Sequence, residues 1–270
     1  MSTEPRSHGS PWESAIAVAA YAGTRSRIGD FYRSEQRLVP SVARLGGRLI
    51  DVGCASGGFQ SAWASLNPAI EYVGVDVSQA LIEQARRLAP RALFHVADAA
   101  EVLPFEAGAG TSVVALGWLH LEPRWKTALK ELGRVADRAL MCDFRIAPPG
   151  TDSHEGRQRI EHLGQWDGSS VSPYLVVLWD EVVQEIEGLG PQTVIGVGYV
   201  GPPAATVSGV PAEVCFATFL LLFDTGAKAA PDVALDLPFV WPTGHGRVVR
   251  DENWLNGVVG ASVESVEATT

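Results

Sequence analysis

The chain has 270 residues, a formal net charge of -10 and an apolar content of 46%. This composition supports one substantial core and argues against a disordered, fibrous or membrane-spanning protein. The acidic balance disfavours nucleic acid as a partner, because a phosphate backbone is bound mainly through Lys and Arg. The three cysteines show neither paired nor zinc-like spacing, which is typical of reduced thiols in a cytoplasmic protein.

The sequence pattern changes at about residue 31. Residues 1–30 are predicted to form an N-terminal tail and a cap helix. The apolar run at 15–22 is assigned to the helix because it is too short to span a membrane. Helical periodicity and short apolar runs then alternate. The predicted helices lie at 31–45, 59–66, 80–88 and 125–135, and the predicted strands at 48–52, 72–75, 93–96, 113–116 and 139–144. Because such alternation builds parallel βαβ units, the sequence predicts a doubly wound α/β fold.

The regular alternation stops after the fifth strand. Residues 147–174 are too polar for a core and too long for an ordinary connection, so they are predicted to be an insertion that forms a lid or a substrate pocket. A helix at 175–189 and strands at 193–200 and 214–223 follow. These two strands have no helix between them, so they either pair antiparallel or lie apart in the sheet. Residues 226–270 are predicted to be a C-terminal surface tail, which leaves 31–225 as the central domain.

A glycine-containing loop follows the first strand. Residues 49–59 read Leu-Ile-Asp-Val-Gly-Cys-Ala-Ser-Gly-Gly-Phe. Glycines at a strand end allow a ligand to approach the backbone, and the next helix directs free N–H groups toward that ligand. Dinucleotide sites have the spacing G-x-G-x-x-G, but Ser56 stands at the third position after Gly53. The loop therefore predicts a nucleotide-type site that differs from a dinucleotide site.

Two aspartates stand at the ends of the next two strands. Asp76 ends the second strand, where a carboxylate can accept hydrogen bonds from both hydroxyls of a ribose. Asp98 ends the third strand, where its carboxylate can accept a hydrogen bond from an adenine amino group. Doubly wound sheets bind ligands at this edge. Each aspartate alone is also compatible with a solvated strand end, but together with the loop they predict a nucleoside site.

On these motifs the chain resembles the class I S-adenosylmethionine-dependent methyltransferases, from about residue 31 to residue 223. The resemblance implies a Rossmann-like, seven-stranded sheet that is mostly parallel and has an antiparallel last strand, at 214–223 in this sequence. It also implies S-adenosylmethionine as methyl donor and S-adenosylhomocysteine as product. The family's usual G-x-G is here Gly53-Cys54-Ala55. The cofactor contacts carried over are Asp51, Gly53, Cys54, Ala55, Gly57, Asp76, Val77, Asp98, Ala99 and Trp118.

The end of the fourth strand is the region that faces the transferred methyl group in this family. Metal-dependent relatives have an aspartate there, but residues 113–121 contain no acid, so we expect no metal. His120 is a candidate general base, although a lone histidine is more often structural. The residues expected to bind substrate, each also compatible with simple packing, are Tyr21, Tyr32, His154, His162 and Trp166.

The sequence thus favours metal-independent methyl transfer to an oxygen, nitrogen or carbon atom of a small molecule. Two alternatives stay open: an NAD-dependent oxidoreductase, against which Ser56 and Asp98 argue, and a non-catalytic protein that binds S-adenosylmethionine. We expect a cytoplasmic monomer or homodimer without nucleic-acid or membrane partners.

Overall fold

The computed structural model describes residues 11–21, 25–223 and 231–242, together with the backbone of 247–249. The N-terminal tail predicted for residues 1–10, and most of the predicted C-terminal tail, lie outside the described residues. The described strands are β1 (Arg48–Val52), β2 (Glu71–Asp76), β3 (Leu93–Val96), β4 (Gly110–Ala115), β5 (Ala136–Ile146), β6 (His154–Arg159), β7 (Val171–Val176), β8 (Thr193–Gly201), β9 (Val207–Ser208), β10 (Val214–Leu222), β11 (Asp232–Asp236) and β12 (Arg247–Val249).

One large sheet organises the described part of the chain. Its nine strands have the order β12-β11-β8-β10-β5-β4-β1-β2-β3. Strands β3, β2, β1, β4 and β5 are mutually parallel, whereas β10 is antiparallel to both β5 and β8. The predicted mostly parallel sheet with an antiparallel last strand is therefore confirmed. The predicted number of seven strands is corrected, because β11 and β12 extend the sheet beyond β8.

Helices cover both faces of this sheet, as parallel strands require. They are α1 (Ala15–Tyr21), α2 (Arg33–Leu45), α3 (Phe59–Leu66), α4 (Gln79–Leu88), α5 (Trp125–Val135) and α6 (Trp179–Gly188), with short 3-10 turns η1 (Pro11–Glu13), η2 (Ile28–Asp30) and η3 (Leu119–Leu121). Helices α2, α3 and α4 pack on one face through residues such as Leu38, Trp63 and Ile82. Helices α5 and α6 pack on the other, through residues such as Leu129 and Ile186.

The predicted insertion at 147–174 contains part of a second, smaller sheet. Strands β6 and β7 pair antiparallel, and β9 pairs with β6 to give the order β7-β6-β9. Because β7 continues to residue 176, the helix predicted for 175–189 begins only at Trp179. The Tyr174 ring of β7 contacts His120 in η3, so this sheet adjoins the end of the fourth strand.

The prediction of a surface tail after residue 226 is wrong for the described residues 232–242. Strand β11 pairs parallel with β8, and Val233, Ala234, Phe239 and Trp241 are buried. Apolar side chains in this short segment complete one face of the core instead of facing water. Within the described residues, no helix combines the length and hydropathy that crossing a bilayer requires.

Candidate functional site

A cavity opens at the carboxyl ends of β1, β2, β3 and β4. Its space, including the part that is open to solvent, is about 980 Å³. This edge is where doubly wound sheets bind ligands. The lining residues are Trp12, Tyr21, Arg25, Val52, Gly53, Cys54, Ala55, Ser56, Gly58, Phe59, Asp76, Val77, Leu81, Ala97, Asp98, Ala99, Leu116, Gly117, Trp118, Leu121 and Glu122.

The loop after β1 forms one wall of the cavity. The N–H groups of Gly53 and Cys54 donate to the Val75 carbonyl at 2.8 and 3.0 Å, which ties the loop to β2. Gly53 has a φ of 77°, and a Cβ on it would overlap the Trp118 ring. Only glycine satisfies both the left-handed backbone and this close approach. The loop therefore requires glycine at position 53.

Asp76 joins this loop to the end of β2. Its carboxylate accepts hydrogen bonds from the N–H groups of Ala55 and Ser78, both at 2.9 Å. Burial raises the pKa of Asp76 to about 6, while these hydrogen bonds act in the opposite direction. Carboxylate oxygens have about four acceptor positions in total, so Asp76 retains capacity for further donors in the cavity.

Asp98 lies on the adjacent wall, at the end of β3. One carboxylate oxygen accepts from the Ala100 N–H at 2.9 Å, and the other accepts from the Arg124 guanidinium at 2.7 Å. Arg124 also contacts Glu122, at 3.2 Å. The two acidic side chains therefore share one cation, and both line the cavity next to Val77 and Ala99.

Two of the predicted cofactor residues, Asp51 and Gly57, lie behind the cavity wall. Asp51 is buried and accepts a hydrogen bond from the Tyr72 hydroxyl at 2.6 Å. Burial is the main reason that the pKa of Asp51 is raised to about 7. Gly57 faces the Phe94 ring, which a Cβ would overlap. The structure thus brings Gly53, Cys54, Ala55, Asp76, Val77, Asp98, Ala99 and Trp118 together on the wall, but not Asp51 or Gly57.

An N-terminal segment covers the cavity and supplies Trp12 and Tyr21 to its lining. The Ser78 hydroxyl donates to the Trp12 carbonyl at 3.0 Å. The Ser56 hydroxyl donates to the Tyr21 carbonyl. The Glu13 carboxylate accepts from two N–H groups in the first turn of α4, at 2.8 and 3.2 Å. Such contacts are favourable because an acidic group there also meets the positive end of the helix dipole.

The turn after β4 forms another part of the cavity wall, where the Trp118 ring lies against Gly53. Trp118 has a buried indole N–H without a hydrogen-bond partner among the described residues. His120 is buried two residues further on and does not line the cavity. Burial, reinforced by Arg145 and Arg25, lowers the pKa of His120 well below its usual value. The imidazole is therefore neutral near pH 7.

The predicted substrate residues are divided between two places. Tyr21 lines the cavity, and Tyr32 lies nearby, with its ring centre 5.1 Å from the Arg25 guanidinium carbon. His154 lies on β6, and His162 forms a backbone bridge with Gln165. The Trp166 indole donates to the Ser170 carbonyl at 3.1 Å. These three residues do not line the cavity.

Sequence reasoning missed several residues of the site. Trp12, Leu81 and Glu122 line the cavity but carry no motif of their own. For Glu122, the available signal was an acidic residue only four positions after Trp118. Among the described residues, no group of three or more His, Cys, Asp or Glu side chains has a geometry that could hold a metal ion.

Comparisons with known proteins agree with this geometry. Residues 49–138 match the family model described as a methyltransferase domain. A malonyl-[acyl-carrier protein] O-methyltransferase from Legionella pneumophila is 34% identical over 106 residues, which are 38% of this chain and only 37% of that protein. The crystal structure of the N-terminal domain of EvdMO1 in the presence of SAH and D-fucose matches with a TM-score of 0.52 and 12% identity, over 72% of this chain and 84% of that one.

The methyltransferase-domain match covers a third of the chain, including most of the cavity wall. It begins in β1 and spans the glycine loop, Asp76, Asp98 and β4, and the fold as a whole is similar to that of the EvdMO1 domain. The chain therefore resembles the class I S-adenosylmethionine-dependent methyltransferases in its fold and in the motifs that line the cavity.

Proposed function

We propose that the protein transfers a methyl group from S-adenosylmethionine to an oxygen, nitrogen or carbon atom of a small molecule, without a metal ion. The observation that carries this proposal is the convergence of the glycine loop, Asp76 and Asp98 on one cavity. The net charge of -10 supports a small acceptor over nucleic acid. Metal independence is supported by the absence of acidic residues from 113–121.

We assign the parts of the cofactor to different residues of the cavity wall. The loop at residues 53–55 would hold the methionine end, Asp76 the ribose hydroxyls, and Asp98 with Ala99 the adenine. The unpartnered indole N–H of Trp118 lies against Gly53, where it would donate to the methionine end. A ligand at this position supplies the partner that a buried polar atom normally has.

The cofactor supplies a methyl group already activated on a positively charged sulfur. The protein's remaining task is to align the acceptor atom with that methyl carbon and to exclude water. Trp12, Tyr21 and Arg25 form the cover that would exclude water. Alignment would occur near Leu116 and Gly117, at the end of β4.

His120 is the proposed base for any acceptor that carries a proton. Its Nδ1 is buried without a hydrogen-bond partner among the described residues, and its imidazole is neutral near pH 7 because burial lowers the pKa. A neutral imidazole can accept a proton from an acceptor hydroxyl or amine. Acceptors that are already anionic would not need this step.

Isothermal titration calorimetry tests the proposal. The purified protein is titrated with S-adenosylmethionine, S-adenosylhomocysteine and NADH, each with and without EDTA. We expect the first two to bind equally well with and without the chelator, and NADH not to bind. Binding of NADH alone would contradict the proposed cofactor, and a loss of binding in EDTA would contradict metal independence.

A further inference from the structure

A second group of polar side chains is buried beside the cavity, at the carboxyl end of β5. We call it the buried polar cluster; its members are Glu35, His120, Asp143, Arg145 and Tyr174, with exposed fractions of 0, 6, 1, 2 and 3%. Ionisable side chains are seldom buried so completely in a protein core. Of these five, the proposed methyl transfer uses only His120.

The cluster is linked directly to the cavity wall. The Arg145 guanidinium donates to one oxygen of Asp143, and the other oxygen accepts from the Gly117 N–H. Gly117 lines the cavity. The guanidinium carbon of Arg145 lies 4.5 Å from the Phe216 ring centre and 5.0 Å from that of Tyr32. Arg145 is therefore linked through the Asp143 carboxylate to the cavity wall at Gly117.

Three polar atoms of the cluster lack hydrogen-bond partners among the described residues. They are Oε1 of Glu35, Nδ1 of His120 and Nε of Arg145. Buried polar atoms in folded proteins are nearly always paired, so each exception needs an explanation. Three exceptions in one cluster, next to a substrate cavity, indicate that a bound molecule supplies the missing partners.

The charges of the cluster specify the kind of molecule. Arg145 faces Asp143, and a second guanidinium, that of Arg25, packs against Gly117 and over the Tyr32 and Phe59 rings. Burial and Asp143 raise the pKa of Glu35 to about 7, so Glu35 is largely protonated at slightly acidic pH and can then donate. Two guanidinium groups thus lie beside Asp143 and beside a Glu35 carboxyl group that burial makes easier to protonate. This balance of charge favours an anionic ligand with acceptor oxygens.

The cover over the cluster is only one side chain thick. Tyr32 is 37% exposed, and its ring separates Arg145 from solvent on one side. Arg25 separates the cluster from the cavity, which it lines. Rings of Tyr199 and Phe216 stack with centres 5.1 Å apart and extend an aromatic wall from Arg145. Displacing the Tyr32 and Arg25 side chains would expose the cluster to an incoming molecule.

We propose that the buried polar cluster and Arg25 form the acceptor subsite, and that the acceptor is a small molecule with a carboxylate group bound by Arg145 Nε and the Arg25 guanidinium. The apolar body of the acceptor lies against the wall of Tyr32, Tyr199 and Phe216. This inference rests on the proposed function, because it names the class of acceptor for the same transfer site.

The test uses carboxylates and their neutral amides as probes on the protein saturated with S-adenosylhomocysteine. The probes are benzoate, phenylacetate and hexanoate, each paired with the amide of the same shape, and binding is measured by calorimetry. We expect at least one carboxylate to bind at least tenfold more tightly than its amide. Equal binding of carboxylates and amides, or no binding of any probe, would overturn the inference.

Two variants test whether the cluster and Arg25 cause the preference for carboxylates. Arg145→Gln and Arg25→Gln should each weaken carboxylate binding at least tenfold. The matched control is Lys126→Gln, which removes a cation that also stacks on a ring, at 5.3 Å from Trp125, and also pairs with a carboxylate, that of Glu181. The control should bind carboxylates as the wild type does. Wild-type affinity in both arginine variants would overturn the inference.

The outcomes separate this inference from the proposed function. If S-adenosylhomocysteine itself does not bind, the proposed function fails. If it binds and the carboxylate preference is missing, only the acceptor class is wrong. Should Arg145→Gln fail to fold, the Arg25→Gln variant and the wild-type preference for carboxylate over amide decide the question.

Discussion

Asp76 has two roles at one carboxylate. It fixes the glycine loop through the Ala55 N–H and the start of α4 through the Ser78 N–H, and it lines the cavity where a ribose is proposed to bind. A buried acceptor that contacts both the protein and a ligand makes ligand binding sensitive to a small change in this side chain. The sequence predicted the ligand contact but not the contact with the loop.

Replacing Asp76 with Ala should weaken binding of S-adenosylhomocysteine. Loss of a buried acceptor costs about 1 to 3 kcal/mol, so the dissociation constant should rise about 5- to 150-fold. Calorimetry measures it, with Glu83→Gln as control, because Glu83 lies on the exposed side of the neighbouring helix. An unchanged dissociation constant in Asp76→Ala would show that the ribose does not contact this residue.

Buried carboxyl groups make the stability of the fold depend on pH. Burial raises the pKa of Asp51 and of Glu35 to about 7, and that of Asp76 to about 6. A raised folded-state pKa means that the folded protein binds more protons than the unfolded chain between the two values. These groups therefore lower the free energy of unfolding as the pH rises from about 4 to about 7.

Asp51→Asn should remove one of these contributions. The amide can still accept the Tyr72 hydroxyl hydrogen bond, and it does not ionise. The difference in unfolding free energy between variant and wild type should be small near pH 4 and should increasingly favour the variant up to about pH 7. Urea unfolding at several pH values measures it, with the exposed Asp137→Asn as control. A difference that does not vary with pH would contradict the assignment.

At the scale of elements, the N-terminal segment acts as a cover for the cavity. Helix α1 and turn η1 pack on α4, and the Glu13 carboxylate accepts two N–H groups at the start of that helix. The contact is exposed at the surface, so we expect it to open and close as a ligand enters or leaves.

Glu13→Ala should therefore speed the release of S-adenosylhomocysteine by about three- to tenfold. The reason is that the contact at the helix start stabilises the closed segment by about 1 kcal/mol, and the variant lacks it. Surface plasmon resonance measures the dissociation rate. Glu71→Ala is the control, because it also removes an exposed acid that forms hydrogen bonds, here with Arg48. If the two variants release the ligand at the same rate, the segment does not act as a cover.

Elements with a strong local pattern were predictable from the sequence. Strands β1 and β2 and helix α3 agree closely with the apolar runs and the glycine stop signals. Strand β7 was missed, because its partner β6 is polar and the pairing joins residues up to 22 positions apart, such as His154 with Val176. Long-range pairing of this kind leaves little local signal.

At the scale of the whole molecule, the described segment at residues 232–241 contributes to the core. The Trp241 side chain is 1% exposed, donates its indole N–H to Glu187 at 2.9 Å and contacts the Trp179 ring. The short apolar segment that contains Trp241 lies among prolines and polar residues, so the local sequence pattern predicted a surface tail. Packing against α6 overrides that pattern.

Trp241→Ala should lower the free energy of unfolding by about 3 to 5 kcal/mol, the usual cost of removing a buried aromatic ring. Val240→Ala is the control at the adjacent position, where the side chain is 59% exposed, and should change stability by less than about 0.5 kcal/mol. Denaturant unfolding measures both. Equal stability of the two variants would show that the C-terminal segment is not part of the core.

The meeting of the strand-end residues at one cavity was largely predictable, whereas the buried polar cluster was not. Gly53, Asp76 and Asp98 stand at strand ends, where sequence position and ligand chemistry coincide. Asp143 and Arg145 lie inside an apolar strand, and Glu35 lies on the buried face of α2. Charged residues inside a strand predicted to be buried were the available signal, but only the folded chain shows that they meet.

The most direct measurement is a crystal structure of the protein with S-adenosylhomocysteine. The account predicts that the ribose hydroxyls lie within hydrogen-bonding distance of Asp76, that the adenine amino group lies near Asp98, and that the sulfur lies near Leu116 and Gly117 at the end of β4. A ligand bound elsewhere, or with its adenine at the glycine loop, would contradict the account.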